Sequence, residues 1–273
     1  MSDKLVYSLE ITNGFVFRQI FELYTKLVIE RIPIFLQKDN ITIRTGTGSK
    51  NGMKLISNVE IITSDIIDYY FNEEMADVKG DEDCPAIILE QFNISNIGNN
   101  FKAIAKTNAV KLFKEKESKR VGIETIGLIN DTSYIECAKY QSVEHDLSGF
   151  DTISDVPNIR ININQFCSIM KGMTKGEPEY ISFKVYQKGL EVESWSNSGS
   201  KMRNGSWGNI KSDKFFETRV NNSVIKAFIK INNMAPYGII KVFSNKKGYL
   251  KLTHKIGEYG YHEIFLIDEK EED

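Results

Sequence analysis

Apolar residues recur at helical spacing four times along the chain, and each time two β-rich runs follow. Phe17, Ile20, Phe21, Tyr24, Leu27 and Val28 form one stripe of a helix expected over Asn13–Glu30. IPIFLQKDNITIRT then reads as a hairpin that turns at Gln37-Lys38-Asp39-Asn40. A second helix is expected over Ser95–Lys106, capped by Ser95 and with Ile97, Phe101, Ile104 and Ala105 on its apolar face. AVKLF, the charged turn KEKESK and RVGIETI make the hairpin after it. The third helix, Asn164–Lys175, buries Phe166, Ile169, Met170 and Met173 and stops at Gly176-Glu177-Pro178. YISFKVYQKGLEVESW then predicts a hairpin turning at Lys188-Gly189. The fourth helix, Asn222–Met234, uses Val224, Ile225, Phe228 and Ile231, ends at Pro236, and feeds the hairpin GIIKVFSNKKGYLKLTH. LVYSLEI, LISNVEII, YIECAKY and YHEIFLI are further strands in the intervals.

Between the second and third units lies Gln141–Asn158, which is acidic, mixes Gly, Ser, Asp and Pro, and has no periodicity. It reads as a surface connector, longer than an ordinary loop. The expected organisation is therefore a duplicated α+β fold in which sheets are backed by two helices per domain. The N-terminal domain spans 1–140, the connector 141–158, and the C-terminal domain with its acidic tail 159–273.

Composition changes this picture little. A length of 273 residues suits two domains, each with its own core. Cys84, Cys137 and Cys167 are scattered without CxxC spacing, as expected of reduced thiols in an intracellular protein. No apolar run reaches the roughly 20 residues of a membrane span, and MSDKLVYSLE has no signal-peptide pattern. The net charge of −2 excludes a globally basic nucleic-acid binder, so any such role depends on where the charge sits.

The lysines are the informative charges. Lys102 and Lys106, Lys171 and Lys175, and Lys226 and Lys230 are pairs at i,i+4, each opposite the apolar stripe of its helix. Arg18 and Lys26 occupy the corresponding face of the first helix, with Glu22 between them. Like charges at that spacing cost an isolated helix about 0.2–0.5 kcal/mol, so their recurrence asks for a partner of opposite sign. Lysine without aromatic neighbours suits sequence-blind attraction to phosphates rather than base readout or single-strand stacking.

Other constellations predict no catalysis, metal or cofactor. His145, His254 and His262 lack the Cys or carboxylate partners of a zinc site and are expected at the surface. Gly46-Thr47-Gly48-Ser49-Lys50 has Lys after Ser, where a phosphate loop needs Gly-Lys before Ser or Thr. Glu144-His145-Asp146 has no nucleophile placed beside it by any motif.

With these elements in place, the chain resembles the sliding clamps of the proliferating cell nuclear antigen type over nearly its whole length. INQFCSIMKGMTKG with YISFKVYQKGLEVES is similar to that family's third helix and hairpin. FNISNIGNNFKAIAKTNAVKLFKEKES is similar to its second, and YLKLTHKIGEYGYHEIFLIDEKEED to its C-terminal hairpin and tail. The resemblance implies a DNA clamp fold in a closed homotrimeric ring, helices inside and sheets outside. Arg18, Lys102, Lys106, Lys171, Lys175, Lys226 and Lys230 would then face duplex DNA. Arg18, Lys171 and Lys226 match basic positions of the family, whereas Lys26 and the rest follow from helix facing.

The resemblance also implies partners. A polymerase, and other proteins carrying a short peptide motif, would dock beneath the connector on Ile43, Leu147, Phe150, Tyr249, Phe265 and Ile267. Phe150 stands where the family has a smaller aliphatic residue, and Tyr249 where it has proline. YIECAKY would pair with Ser206–Lys211 of the next subunit, and a separate clamp-loader ATPase would open the ring. The implied activity is processivity in replication and repair, in the nucleus or at a viral replication site. The alternative is a clamp-fold protein that is not a homotrimer: a monomeric viral processivity or late transcription factor, or one subunit of a heterotrimeric checkpoint clamp.

Overall fold

The computed structural model describes all residues except 1–3, 27–30, 48–52, 81–84, 94–99, 103, 128–129, 138–152, 236, 246–248 and 269–273. The chain forms two compact units. The first comprises Met1–Thr45, Asn58–Val143 and Ile256–Tyr261, and the second Gly46–Ser57, Glu144–Lys255 and His262–Asp273. The expected boundary at the connector is thus joined by an exchange of two short segments.

The first unit contains β1 (Leu5–Ile11), β5 (Asp68–Phe71), β7 (Ala109–Glu115), β8 (Arg120–Ile126) and β9 (Asp131–Glu136), with consecutive buried residues in β1 and β8 and alternation in β7. They form an antiparallel sheet in the order β5-β1-β7-β8-β9. β2 (Arg31–Leu36) pairs with β3 (Asn40–Thr47) on one side and β6 (Ile88–Asn93) on the other. The β2–β3 turn closes where expected, with Gln37 N donating to Asn40 O at 2.9 Å.

The helix α1 (Gly14–Lys26) buries Phe17, Ile20, Phe21 and Tyr24, as its stripe predicts. Phe21 stacks on Phe101 at 4.7 Å and meets Phe17 edge-on at 4.9 Å. Such rings bury about 150–250 Å² each and dominate a small core. The helix starts at Gly14 because its N–H bonds Asn108 O at 2.9 Å, so close to β7 that a Cβ would overlap Val110. Of the second expected helix, 95–99 and 103 lie outside the described residues, and 100–102 are helical. The helix does not reach Lys106, which sits in a turn.

In the second unit, β10 (Ile159–Asn162), β13 (Ile239–Ser244), β14 (Tyr249–Ile256) and β15 (Gly260–Asp268) lie side by side in that order. The strands β4 (Met53–Ile62) and β15 are each divided between the units. In the first unit Ile62 N bonds Tyr259 O at 2.8 Å; in the second Ile56 packs on Phe265. Two helices, α2 (Ile163–Met173) and α3 (Asn222–Phe228), pack on a long ribbon of β11 (Tyr180–Trp195) and β12 (Lys201–Asn221).

The ribbon corrects one expectation. Lys188-Gly189 is not a turn: β11 runs straight through it, with Gly189 opposite Gly208. The reversal comes at 196–200, where Ser196 N bonds Ser200 O at 2.9 Å and Gly199 takes φ 74°. A segment of Ser, Asn and Gly supplies both the hydroxyl bonds and the left-handed residue that a reversal needs.

Candidate nucleic-acid interface

In the second unit α2 is fixed at both ends by local chemistry. The Asn162 side chain accepts from Asn164 N at 3.0 Å and Gln165 N at 3.3 Å, capping the start. At the other end Thr174 N bonds Met170 O, the Thr174 hydroxyl donates to Lys171 O at 3.1 Å, and Gly176 turns the chain with φ 84°. Phe166, Met170 and Met173 point into the core, with Phe166 stacked on Trp207 at 5.7 Å. What faces outward is Asn164, Gln165, Ser168 and Lys171, on a helix with no carboxylate. α3 has no carboxylate either.

The expected i,i+4 lysine pairs are corrected in one respect. Lys171 lies in the last turn of α2, but Lys175 falls in the turn beyond it; Lys226 lies in α3, but Lys230 follows its end. Cations at and past a helix C-terminus meet the negative end of the macrodipole, which stabilises by about 0.3–1 kcal/mol each instead of costing repulsion within the helix. The side chains of Lys26 and Lys226 lie outside the described residues. Among the described residues no ion pair engages Lys106, Lys171, Lys175 or Lys230, and all four are exposed.

In the first unit the expected cations divide by role. Lys102 and Lys106 are exposed, and Lys106 Nζ stands 5.4 Å from the Phe15 ring. Arg18 instead turns back on the protein. Its Nε donates to Glu22 at 2.6 Å, and its Nη1 to the carbonyls of Lys102 at 2.8 Å and Ile104 at 3.1 Å. It is a bracket between α1 and the end of the helical stretch at 100–102, with its charge already answered. Arg18→Ala is expected to cost about 1–3 kcal/mol in urea unfolding, because those carbonyls lose a charged donor.

The residues expected to bind a partner peptide separate likewise. In the second unit Ile56 and Phe265 form a buried pair, and the half-buried Tyr249 and Ile153 each pack against it. Lys251 Nζ lies 5.8 Å from the Phe265 ring and 5.4 Å from Phe243, and pairs with Glu263 at 3.1 Å. Leu147 and Phe150 lie outside the described residues, as does the side chain of Ile267. Ile43 is corrected: at 0% exposure it belongs to the core of the first unit, where Tyr24 donates to its carbonyl at 3.2 Å, and it offers no surface to a partner.

Sequence reasoning did not single out Asn164, Gln165, Ser168, Ile56 or Ile153. The first three share the spacing of Lys171, opposite Phe166 and Met170, so helical periodicity contained them. The sequence predicts surface histidines, yet His254 and His262 are 3% and 0% exposed and bonded to each other at 2.9 Å.

Two sheet strands with open edges complete the surface. β9 is the outermost strand of its sheet and displays Tyr134 at 57% exposure. β12 pairs with β11 along one side, and among the described residues no strand pairs with its other side.

This architecture is a DNA clamp fold. Among the solved structures similar to it along nearly its whole length are three of proliferating cell nuclear antigens. A chain of the PCNA2–PCNA3 complex from Sulfolobus tokodaii is 12% identical, with TM-score 0.73 over 95% of this chain and 98% of that one. The antigen from Entamoeba histolytica is 12% identical, with TM-score 0.71 over 96% and 98%. That from Thermococcus kodakaraensis is 9% identical, with TM-score 0.74 over 96% and 99%. No protein-family model and no curated protein matches the chain.

Proposed function

We propose that this protein is a sliding clamp that encircles duplex DNA without sequence specificity and tethers a polymerase to it. The observation that carries this reading is the clamp fold over about 95% of the chain, combined with a carboxylate-free polar and lysine-bearing face on α2. Asn164, Gln165 and Ser168 can bond phosphate oxygens while Lys171 and Lys175 supply charge, which is backbone positioning without base readout. A closed ring holds DNA topologically, so each contact can stay weak and the clamp remains mobile. The protein is then a scaffold rather than an enzyme, and a separate loader ATPase places it on DNA in replication or repair. Its site of action is the nucleus or a viral replication compartment.

Assembly follows from the open edges. A β9 strand of one subunit pairing with 206–211 of the next would cover both and remove an aggregation liability. A second reading has its own support, because one of the similar structures is a complex of two different clamp chains. Light-scattering mass of the purified chain, alone and with a nicked circular duplex, separates the two. A trimer alone is expected for the first reading. A stable monomer that assembles only with another chain would replace it with the second.

A further inference from the structure

The socket around Phe265 is already filled by a residue of the chain itself. Ile56 and Phe265 are buried, and the half-buried Tyr249 and Ile153 each pack against this pair. Ile153 is delivered there on a short tether. Asn158 is pinned to β13 by its N–H on Val242 O at 2.8 Å and by its side-chain oxygen, which accepts from Ser244 N at 2.8 Å. The five steps from Asn158 back to Ile153 span at most about 18 Å. Between them Ser154, Asp155 and Val156 are exposed, and Val156 stands 74% in solvent. Two branched aliphatic residues three positions apart therefore differ sharply: one is docked and the other wet. Burial at Ile153 is a matter of the socket and not of a general collapse of the segment.

We propose that Ile153 occupies in cis the place taken by a partner's branched aliphatic anchor, so that partners dock only by displacing it. The inference rests on reading this socket as the clamp's docking site. The fit to isoleucine names the anchor class, since the floor of Ile56 and Phe265 is apolar and Lys251 stands at Phe265 already paired with Glu263. A cis anchor on a short tether acts at millimolar effective concentration. The apparent affinity for any trans ligand falls by the fraction of sockets left open. A partner bringing contacts beyond a single side chain overcomes that competition; a lone hydrophobic residue does not.

The test uses the full chain with labelled methyl groups and a synthetic peptide copying residues 150–158. The peptide is expected to bind Ile153→Ser at least tenfold more tightly than wild type, shifting the Ile56 methyl signals. Ile153→Val should behave as wild type, and a peptide whose own isoleucine is serine should fail on every variant. Equal affinity for wild type and Ile153→Ser would overturn the proposal, as would no saturable binding to a folded Ile153→Ser. Loss of the cooperative thermal transition in both Ile153→Ser and Ile153→Ala would also overturn it, by making Ile153 a core wedge. None of these measurements needs DNA or assembly, so they fail separately from the mass and DNA experiments that decide the clamp reading.

Discussion

Reversing Lys171 and Lys175 together to glutamate is expected to lower affinity for duplex DNA by at least about 10³-fold at moderate salt. Each phosphate contact contributes about −0.9 to the slope of log affinity against log salt, and a trimeric ring would repeat both sites in every subunit. Both side chains are exposed and enter no ion pair among the described residues, so the protein itself does not screen them. Folding is little affected by comparison. Reversal opposes the helix dipole by about 0.3–1 kcal/mol per site, far less than the loss of binding. The control is Lys241→Glu, an exposed lysine on β13, compared with Lys171→Glu alone. Fluorescence anisotropy over a salt series reads both quantities. If the two single variants lose affinity equally, the effect is one of net charge, and α2 is not the DNA-facing helix.

The parts of this fold legible in the sequence were those set by local periodicity. Phe17, Ile20, Phe21 and Tyr24 all entered the core because a 3.6-residue stripe leaves a helix one way to bury them. The misplacements have nonlocal causes. Lys188-Gly189 looks like a turn until Gly208 lies opposite it, a pairing across the ribbon that no local window contains. Arg18 looks like an outward cation because the carbonyls that engage it are 84 and 86 residues away. Lys175 looks helical because Gly176 resembles the stop, whereas the Thr174 hydroxyl on Lys171 O marks an earlier end. The histidines differ, because their signal was available. His254 alternates in phase with Leu250, Leu252 and Ile256, and His262 with Ile264 and Leu266, the buried faces of β14 and β15. Period-two burial overrode the general preference of histidine for the surface.

That buried pair should make stability fall by several kcal/mol between pH 7 and pH 4. His254 Nδ1–H donates to Lys255 O at 2.8 Å, which leaves its Nε2 to accept from His262 Nδ1–H at 2.9 Å. His262 Nε2 then accepts from the Ser57 hydroxyl at 2.8 Å. All four ring nitrogens are satisfied with both rings neutral; one further proton on His254 forces His262 to switch tautomer and Ser57 to accept, and a second sets two N–H groups against each other. Burial pushes His254 down to about 4; burial, and then the neighbouring His254, hold His262 well below its ordinary value. Unfolded histidines titrate near 6.5. Between that value and 4 the unfolded chain binds protons that the folded chain refuses, so stability is lost as pH falls through this window and is level above it. At 1.36 kcal/mol per pKa unit, His254 alone accounts for about 3 kcal/mol at the acid end. Carboxylates act lower. Burial raises Glu193, but hydrogen bonds from Lys184 and Lys201 outweigh it and hold the group below 4.5, so its contribution is lost only beneath that value. Urea unfolding at pH 7.5, 6.0, 5.0 and 4.5 therefore isolates the histidines. A variant with both His254→Gln and His262→Gln should be less stable at pH 7.5 yet nearly flat across the series. Parallel profiles for the variant and wild type would show that the pair titrates in the folded protein and does not store this dependence.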